Sequence, residues 1–122
     1  MCGITGIFHF DKDRTIDKKR LQKMNDVIYH RGPDGEGLFV KNNIGLGHRR
    51  LAIIDVETGS QPMFSDDMKK VIVFNGEIYN YIELREELMQ LGFTFSTQSD
   101  TEVVIKAYEE WGYDCQNKFN GM

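Results

Sequence analysis

The chain has 122 residues, of which 40% are hydrophobic and 28% charged, and its formal net charge is −4. This composition predicts one folded globular domain rather than a disordered chain. The acidic balance and the absence of a long basic cluster disfavour nucleic-acid binding, and no apolar run predicts a membrane span or a signal peptide. We therefore expect a cytoplasmic protein with no nucleic-acid and no membrane partner.

The cysteines, Cys2 and Cys115, match no metal-site spacing with the histidines of the chain. In a reducing compartment both thiols should stay unpaired. The sequence predicts neither a metal site nor a disulfide.

The first half of the chain is predicted to contain a strand, a helix and two more strands. The stretch "GITGIFHF" places Ile4 and Phe8 on one face, and because both of its faces are largely apolar we expect a buried strand. Apolar residues at helical spacing continue from Ile16 to His30, where "HRGPDGEG" ends the helix. The stretches "LFVKN" and "NIGLGHRRLAIIDV" are then expected to be strands joined by a turn.

The second half is predicted to contain a loop, two strands and two helices. The stretch "ETGSQPMFSDD" is typical of a loop, "KKVIVFNG" of an apolar strand and "FTFST" of a short strand. One helix is expected after an N-cap at Asn80, and a second begins with Ser99 and Glu102 at capping-box spacing. The order of elements indicates an α+β fold. Because "YDCQNKFNGM" contains no finished element, we expect a chain that is cut at this point.

Cys2 has two interpretations. It could be a small, buried residue of a terminal strand, since free cysteine is often buried. Alternatively, removal of Met1 would give Cys2 a thiol and a free α-amine on the same residue, which is a nucleophile with a base attached. A single cysteine does not decide between the two.

Two further stretches hold charged residues beside turns or strands. The stretch "HRGPDG" is explained by an ordinary turn, although it could also hold Arg31 and Asp34 near a site. In "GHRRLAIID" the alternation of a strand sends one arginine to each face, so either Arg49 or Arg50 could grip a carboxylate in a pocket. Alternation alone leaves that choice open.

The stretch "VFNGEIYN" offers hydrogen-bond donors at the end of a strand. An Asn-Gly pair is a strong signal for a tight hairpin, but the residues that follow predict a helix rather than a second strand. Asn75 and Gly76 are therefore available to stabilise an oxyanion, and Glu77 could accept from a ligand ammonium group. In "QSDTE" the cap explains Ser99 and Glu102 but leaves Asp100 without a role.

Taken in order, the Cys-Gly start, "HRGPDG", "GHRRLAIID" with "GSQP", "FNGEIYN" and "SDTE" resemble the N-terminal glutaminase domain of glutamine-hydrolysing asparagine synthetases, which are class II glutamine amidotransferases. The resemblance covers the whole chain. It implies an N-terminal-nucleophile hydrolase sandwich of antiparallel sheets between helical layers, incomplete here, with residues 1–122 as a glutaminase domain shortened at its C-terminal end.

The resemblance also implies roles for individual residues. Cys2 would be the nucleophile that forms a thioester with L-glutamine, and Asn75 with Gly76 would make the oxyanion hole. The substrate carboxylate would be bound by Arg50, and Glu77 with Asp100 would hold the α-amino group. Three apolar residues would surround the bound carboxylate: Leu51, Ile53 and Ile54.

The partner implied by the resemblance is a synthetase domain of the same full-length chain, where ATP and magnesium would bind. No cofactor is expected in residues 1–122 themselves. Exposed strand edges and an uncovered apolar face would favour self-association, for which a homodimer is the candidate assembly.

Three hypotheses about activity remain open from the sequence. The leading one is a glutaminase module that supplies ammonia to an asparagine synthetase or to a related amidotransferase with another acceptor. The second is an inactive fragment whose site residues are present but not organised. The third is a non-catalytic binding or assembly domain in which Cys2 is a core residue.

Overall fold

The computed structural model describes residues 1–53 and 58–122 and shows an α+β chain with antiparallel sheets. Its strands are β1 (Gly3–Phe8), β2 (Gly35–Lys41), β3 (Ile44–Arg50), β4 (Met63–Phe64) and β5 (Val71–Ile72). Its helices are α1 (Lys18–Val27), α2 (Tyr81–Gln90) and α3 (Asp100–Trp111), with 3₁₀ helices at Tyr29–Arg31 and Gly112–Lys118. None of the described helices is long and apolar enough to cross a membrane.

The described residues form two compact units. Unit 1 comprises residues 1–52, 60–62 and 73–75. Unit 2 comprises residues 63–72 and 76–122 together with the described part of 53–59.

Unit 1 is an antiparallel sheet in the order β1-β3-β2 with α1 against one face. The helix begins where the Asp17 carboxylate accepts hydrogen bonds from the backbone N–H groups of Lys19 and Arg20. It packs closely on β3 because Gly45 has no side chain: a Cβ there would come within 3.0 Å of Leu21. The predicted helix and the central strand are confirmed.

The expectation that β1 is buried on both faces is wrong. Ile4 is 50% exposed and Phe8 is 57% exposed. The reason is that α1 covers the opposite face of the sheet in unit 1, where Gly3, Thr5 and Ile7 lie.

Two strand boundaries in unit 1 differ from the prediction. β2 begins at Gly35 rather than at Leu38, and β3 ends at Arg50. After Arg50 the backbone N–H groups of Leu51 and Ala52 donate to side chains instead of to a neighbouring strand, so the ladder stops there.

Unit 2 contains α2 and α3 packed together, with the two-stranded β4-β5 sheet against α3. The predicted helices are confirmed, and their buried apolar residues form the core: Leu84, Leu88, Val103, Ile105 and Ala107. β4 lies in the predicted loop, and only Val71–Ile72 of the predicted "KKVIVFNG" strand pairs as a strand.

Two local predictions around the start of α3 are wrong. "FTFST" forms no strand, because the Glu102 carboxylate takes the N–H groups of Ser96 and Thr97. For the same reason the capping box does not close: Ser99 caps α3 through Thr101 N–H, but Glu102 does not bond back to Ser99.

The ends of α2 and of the chain also differ from expectation. Asn80 stands at the N-cap of α2, but its side chain bonds to Lys118 and Asn120 rather than to the helix. The stretch "YDCQNKFNGM" is structured: it contains a 3₁₀ helix, and Gly121 forms an antiparallel bridge with Ile78.

Candidate active site

Cys2 lies directly before β1, and its thiol is held against the backbone that follows β3. Its Sγ is 3.3 Å from the Leu51 N–H nitrogen and 3.5 Å from the Leu51 carbonyl oxygen. The antiparallel register that pairs Gly3 with Arg49 produces this approach. The structure thus brings together Cys2 and Leu51, two of the residues named for the site.

The "HRGPDG" loop forms the turn that the sequence predicts and also touches the same backbone. The Arg31 Nε donates to the Cys2 carbonyl oxygen at 3.2 Å. Asp34 donates its N–H to the Arg50 carbonyl oxygen at 3.0 Å, and its carboxylate accepts from Ala52 N–H at 2.9 Å. Gly32 permits the close approach, because a Cβ would overlap the Arg49–Arg50 backbone. The turn and the proximity of Arg31 and Asp34 to Cys2 and Arg50 are therefore both present.

Arg49 faces α1 and is engaged there. Its Nε donates to the Asn25 carbonyl oxygen at 3.0 Å, and its guanidinium pairs with Asp26 and, at 2.9 Å, with Glu36. The guanidinium also lies over the ring of Tyr29. Arg49 is thus part of the contact between the sheet and α1.

Arg50 lies on the other face of β3 and borders a cavity of about 140 Å³. The other residues around this cavity are Asp34, Gly35, Glu36, Ser60 and Gln61. Pockets for drug-sized ligands are larger, about 300–1,000 Å³, so this cavity has room only for a small group.

Asn75 follows Phe74, a residue whose two backbone polar groups are bound by side chains. The Phe74 N–H donates to the side-chain oxygen of Gln61, and its carbonyl oxygen lies 3.1 Å from His48 Nε2. Asn75, Gln61 and His48 all belong to unit 1, as do Cys2, Arg50 and Leu51.

His48 is fully buried, with 0% of its surface exposed. Burial lowers its pKa below the usual value, the hydrogen bond to the Phe74 carbonyl opposes this, and the positive charge of Arg50 lowers the pKa further. Since a carbonyl oxygen only accepts, Nε2 must hold the proton, and Nδ1 is a buried atom without a hydrogen-bond partner among the described residues.

Gly76, Glu77 and Asp100 belong to unit 2. The Glu77 backbone exchanges two hydrogen bonds of 2.9 Å with Met122, and a Cβ on Gly121 would overlap the Glu77 carbonyl. The buried Asp100 carboxylate accepts from Ile78 N–H at 3.0 Å. Asp100, which the cap left without a role, is therefore anchored one residue beyond Glu77.

Two isoleucines were named for the site, and their roles stay predictions. Ile53 is exposed, and Ile54 lies outside the described residues. Asp100 is held by a backbone N–H, but no described contact joins it to the Glu77 side chain.

A family model described as "Glutamine amidotransferase domain" matches residues 1–122 of this chain. The chain belongs to that family. The α+β structure with antiparallel sheets is compatible with an N-terminal-nucleophile glutamine amidotransferase.

Curated relatives of this amidotransferase domain include glutamine-hydrolysing asparagine synthetases. Asparagine synthetase 1 of Bacillus subtilis is 50% identical over 124 residues, which cover 100% of this chain and 20% of the relative. A putative asparagine synthetase of Methanocaldococcus jannaschii is 46% identical over all of this chain and 26% of its own length. Asparagine synthetase B of Escherichia coli is 37% identical over all of this chain and 22% of its own length. The chain thus spans about a fifth to a quarter of these relatives.

Some residues around the site of this amidotransferase domain were not singled out by sequence. His48 and Gln61 lie within the motifs "GHRRLAIID" and "GSQP", but only their contacts with Phe74 give them a role. Both cysteines are free thiols. Among residues 1–53 and 58–122, no three His, Cys, Asp or Glu side chains form a cluster that could hold a metal ion.

Proposed function

We propose that this chain hydrolyses the side-chain amide of L-glutamine with Cys2 as the nucleophile, and that the ammonia serves ATP-dependent asparagine synthesis from aspartate in the complete gene product. The observation that supports this most is that the Cys2 Sγ lies 3.3 Å from the backbone nitrogen of Leu51. Leu51 directly follows Arg50, which borders the cavity described above. Membership of a glutamine amidotransferase family supplies the substrate.

The proposed reaction starts after Met1 has been removed. The α-amine of Cys2 takes the thiol proton, and the thiolate attacks the amide carbon of glutamine. The C–N bond breaks as the leaving nitrogen receives the proton, which gives ammonia and a thioester. Water then hydrolyses the thioester to glutamate and frees the thiol.

The remaining residues would bind the substrate and stabilise the tetrahedral intermediate. Arg50 would pair with the α-carboxylate, and Asn75 with Gly76 would donate to the oxyanion. Glu77 and Asp100 would hold the α-ammonium group. Leu51, Ile53 and Ile54 would surround the carboxylate end of the substrate.

We further propose that the fold is that of an N-terminal-nucleophile hydrolase and that the protein acts in the cytoplasm, without a nucleic-acid or membrane partner and with a homodimer as its candidate assembly. No cofactor is assigned to residues 1–122. ATP and magnesium would be used by a synthetase domain of the gene product. Aspartate is the proposed acceptor, and another carboxylate is the alternative.

The test is glutamine hydrolysis by the complete gene product, measured as glutamate and ammonia. We expect Cys2→Ala to abolish hydrolysis, Cys115→Ala to retain it, and a glutamine analogue with an electrophilic carbon to label Cys2 only. Intact mass should show that Met1 is absent from active protein.

Two outcomes would contradict the proposal. Met1 retained on active protein excludes an N-terminal amine as the base. Hydrolysis that survives Cys2→Ala, with a change only in stability, would favour the non-catalytic binding or assembly domain. The acceptor is tested separately, by measuring asparagine with ATP, magnesium and glutamine supplied. Asparagine that forms only when aspartate is added identifies aspartate as the acceptor, whereas ammonia consumption without aspartate favours another carboxylate.

A further inference from the structure

Phe74 lies after the end of β5 and directly before Asn75, so its backbone is not paired with a neighbouring strand in the part of the chain that the structure describes. β5 stops at Ile72, and the polar groups of Phe74 are bound instead by Gln61 and His48. The Phe74 carbonyl and the Asn75 N–H belong to one planar peptide unit, so fixing that carbonyl fixes the orientation from which Asn75 departs.

The His48 ring makes one described hydrogen bond, from Nε2 to the Phe74 carbonyl, and its other ring nitrogen has no described partner. In unit 1 the imidazole sits on the central strand, opposite Ile4 of β1 and Gly37 of β2. With Nε2–H donated to Phe74 and Nδ1 buried without a partner among the described residues, the ring has one productive tautomer. A buried polar atom without a partner costs free energy, which is a common sign that a residue serves more than packing.

The Gln61 contact is held in place by the sheet. A Cβ on Gly37 would overlap the Gln61 carbonyl and contact Pro62, so the glycine allows the 60–62 segment to lie directly on β2. From this position the Gln61 side-chain oxygen reaches the Phe74 N–H. Two side chains from separate segments of unit 1 therefore act on one backbone residue.

We propose that His48 and Gln61 are positioning residues for Asn75, holding the Phe74 peptide so that the Asn75 amide is aimed at the oxyanion. This inference rests on the proposed function, in which Asn75 is a donor to that oxyanion. A donor contributes to catalysis only if it is already oriented when charge develops, and loss of one such donor costs about 10²–10³-fold in kcat.

The test uses the complete gene product and compares His48→Met with His48→Gln. Glutamine can place its amide Nε2–H where the imidazole Nε2–H stood, whereas methionine has no donor. We expect His48→Met to lower kcat for glutamine hydrolysis by about 10–100-fold and His48→Gln to recover most of it. Glutamine affinity, measured by calorimetry with Cys2→Ala in the background, should stay within about twofold, because the oxyanion is absent from the ground state.

A double-mutant cycle with Asn75→Ala distinguishes a role through Asn75 from a purely structural role of His48, because only the former makes the two effects on kcat non-additive. If His48 acts through Asn75, adding His48→Met to Asn75→Ala should lower kcat by less than about threefold more. Gln61→Met should lower kcat as His48→Met does, and because Gln61 also borders the Arg50 cavity we expect this variant to change glutamine affinity as well. Leu21→Ala, a cavity-forming change in α1 of the same unit, is the stability control and should keep the wild-type kcat below its melting temperature.

Several outcomes overturn the inference. These are a wild-type kcat for His48→Met, equal losses for His48→Gln and His48→Met, full additivity with Asn75→Ala, or the same kcat loss for Leu21→Ala. An unmodified protein that does not hydrolyse glutamine refutes the proposed function itself, and the positioning role falls with it. An Asn75→Ala variant with normal kcat leaves glutamine hydrolysis standing but removes the oxyanion role of Asn75, and the positioning role with it.

Discussion

At the scale of single residues, His48 shows how burial selects a charge state. Its imidazole is fully buried, and its one described hydrogen bond runs from Nε2 to a carbonyl. A second proton would have to be placed on Nδ1, which has no described acceptor, beside the positive charge of Arg50. The neutral form is therefore the one compatible with the folded chain.

The lowered pKa of His48 predicts acid sensitivity. The unfolded chain takes up a proton on this histidine as the pH falls through about 6.5, whereas the folded chain does so only at lower pH. In that window the unfolded state binds more protons than the folded state. The free energy of unfolding therefore decreases as the pH is lowered, by up to about 1.4 kcal/mol per pH unit. Urea unfolding between pH 8 and pH 5 measures this slope.

His48→Gln should remove this part of the slope, and His30→Gln, at an exposed histidine, should leave it. The carboxyl of Asp67 does not interfere: its pKa is lowered by hydrogen bonds from Ser65 and Lys69, so its contribution is lost only below about pH 4. A slope that persists unchanged in His48→Gln would show that other groups cause it.

The faces of β3 on which Arg49 and Arg50 lie were only partly predictable from the sequence. Alternation predicted one arginine on each face of β3, which is what the structure shows, but it did not say which one faces α1. That depends on the carboxylates of Asp26 and Glu36, which lie on other elements and pair with Arg49. Only the resemblance to a family named Arg50 in advance, and its binding role stays a prediction.

At the scale of elements, Ser99 caps α3, whereas the loop that precedes this helix is held by Glu102. Its carboxylate accepts from Ser96 N–H at 2.9 Å, Thr97 N–H at 2.7 Å and the Thr97 hydroxyl at 2.6 Å. Lys106, which is also buried, lies 3.7 Å away and pairs with Asp66 at 2.9 Å. One side chain of α3 thus organises the loop that leads to Asp100.

Glu102→Gln should destabilise the chain. The amide keeps one acceptor oxygen and puts an NH₂ group against a backbone donor, so at least one backbone N–H of Ser96 or Thr97 loses its acceptor and Lys106 loses a nearby charge. We expect the free energy of unfolding to fall by about 1–3 kcal/mol, measured by urea denaturation.

The matched control is Glu110→Gln, an exposed position on the same helix, which should change the free energy of unfolding by less than about 0.5 kcal/mol. Equal effects of the two substitutions would mean that the Glu102 network contributes no more than a surface charge.

The elements that sequence predicted well are those whose signal is local. α1, α2 and α3 follow from apolar residues at helical spacing, and β1 and β3 from runs bounded by turn residues. "FTFST" was mispredicted because a carboxylate from α3 competes for its backbone donors. The early end of β3 has the same kind of cause, since Leu51 N–H is taken by the Cys2 thiol.

At the scale of the whole molecule, the order of short motifs was more informative than any one of them. It predicted the family that the match over residues 1–122 confirms. It did not predict the exposed face of β1 in unit 1, because burial on that face depends on which elements cover a strand and not on the strand's own residues. Likewise, Cys2 acquires a chemical environment only through Leu51, which lies far along the chain.

Because of Gly121, substitutions in residues 77–79 and in residues 120–122 affect each other. Because a Cβ there would overlap the Glu77 carbonyl, the identity of residue 121 is dictated by the backbone of residue 77 rather than by anything near it in sequence. Any variant that moves residues 77–79 must also be accommodated at 120–122, through the hydrogen bonds that pair them. Natural drift and laboratory mutagenesis should therefore find these two stretches variable only in combination.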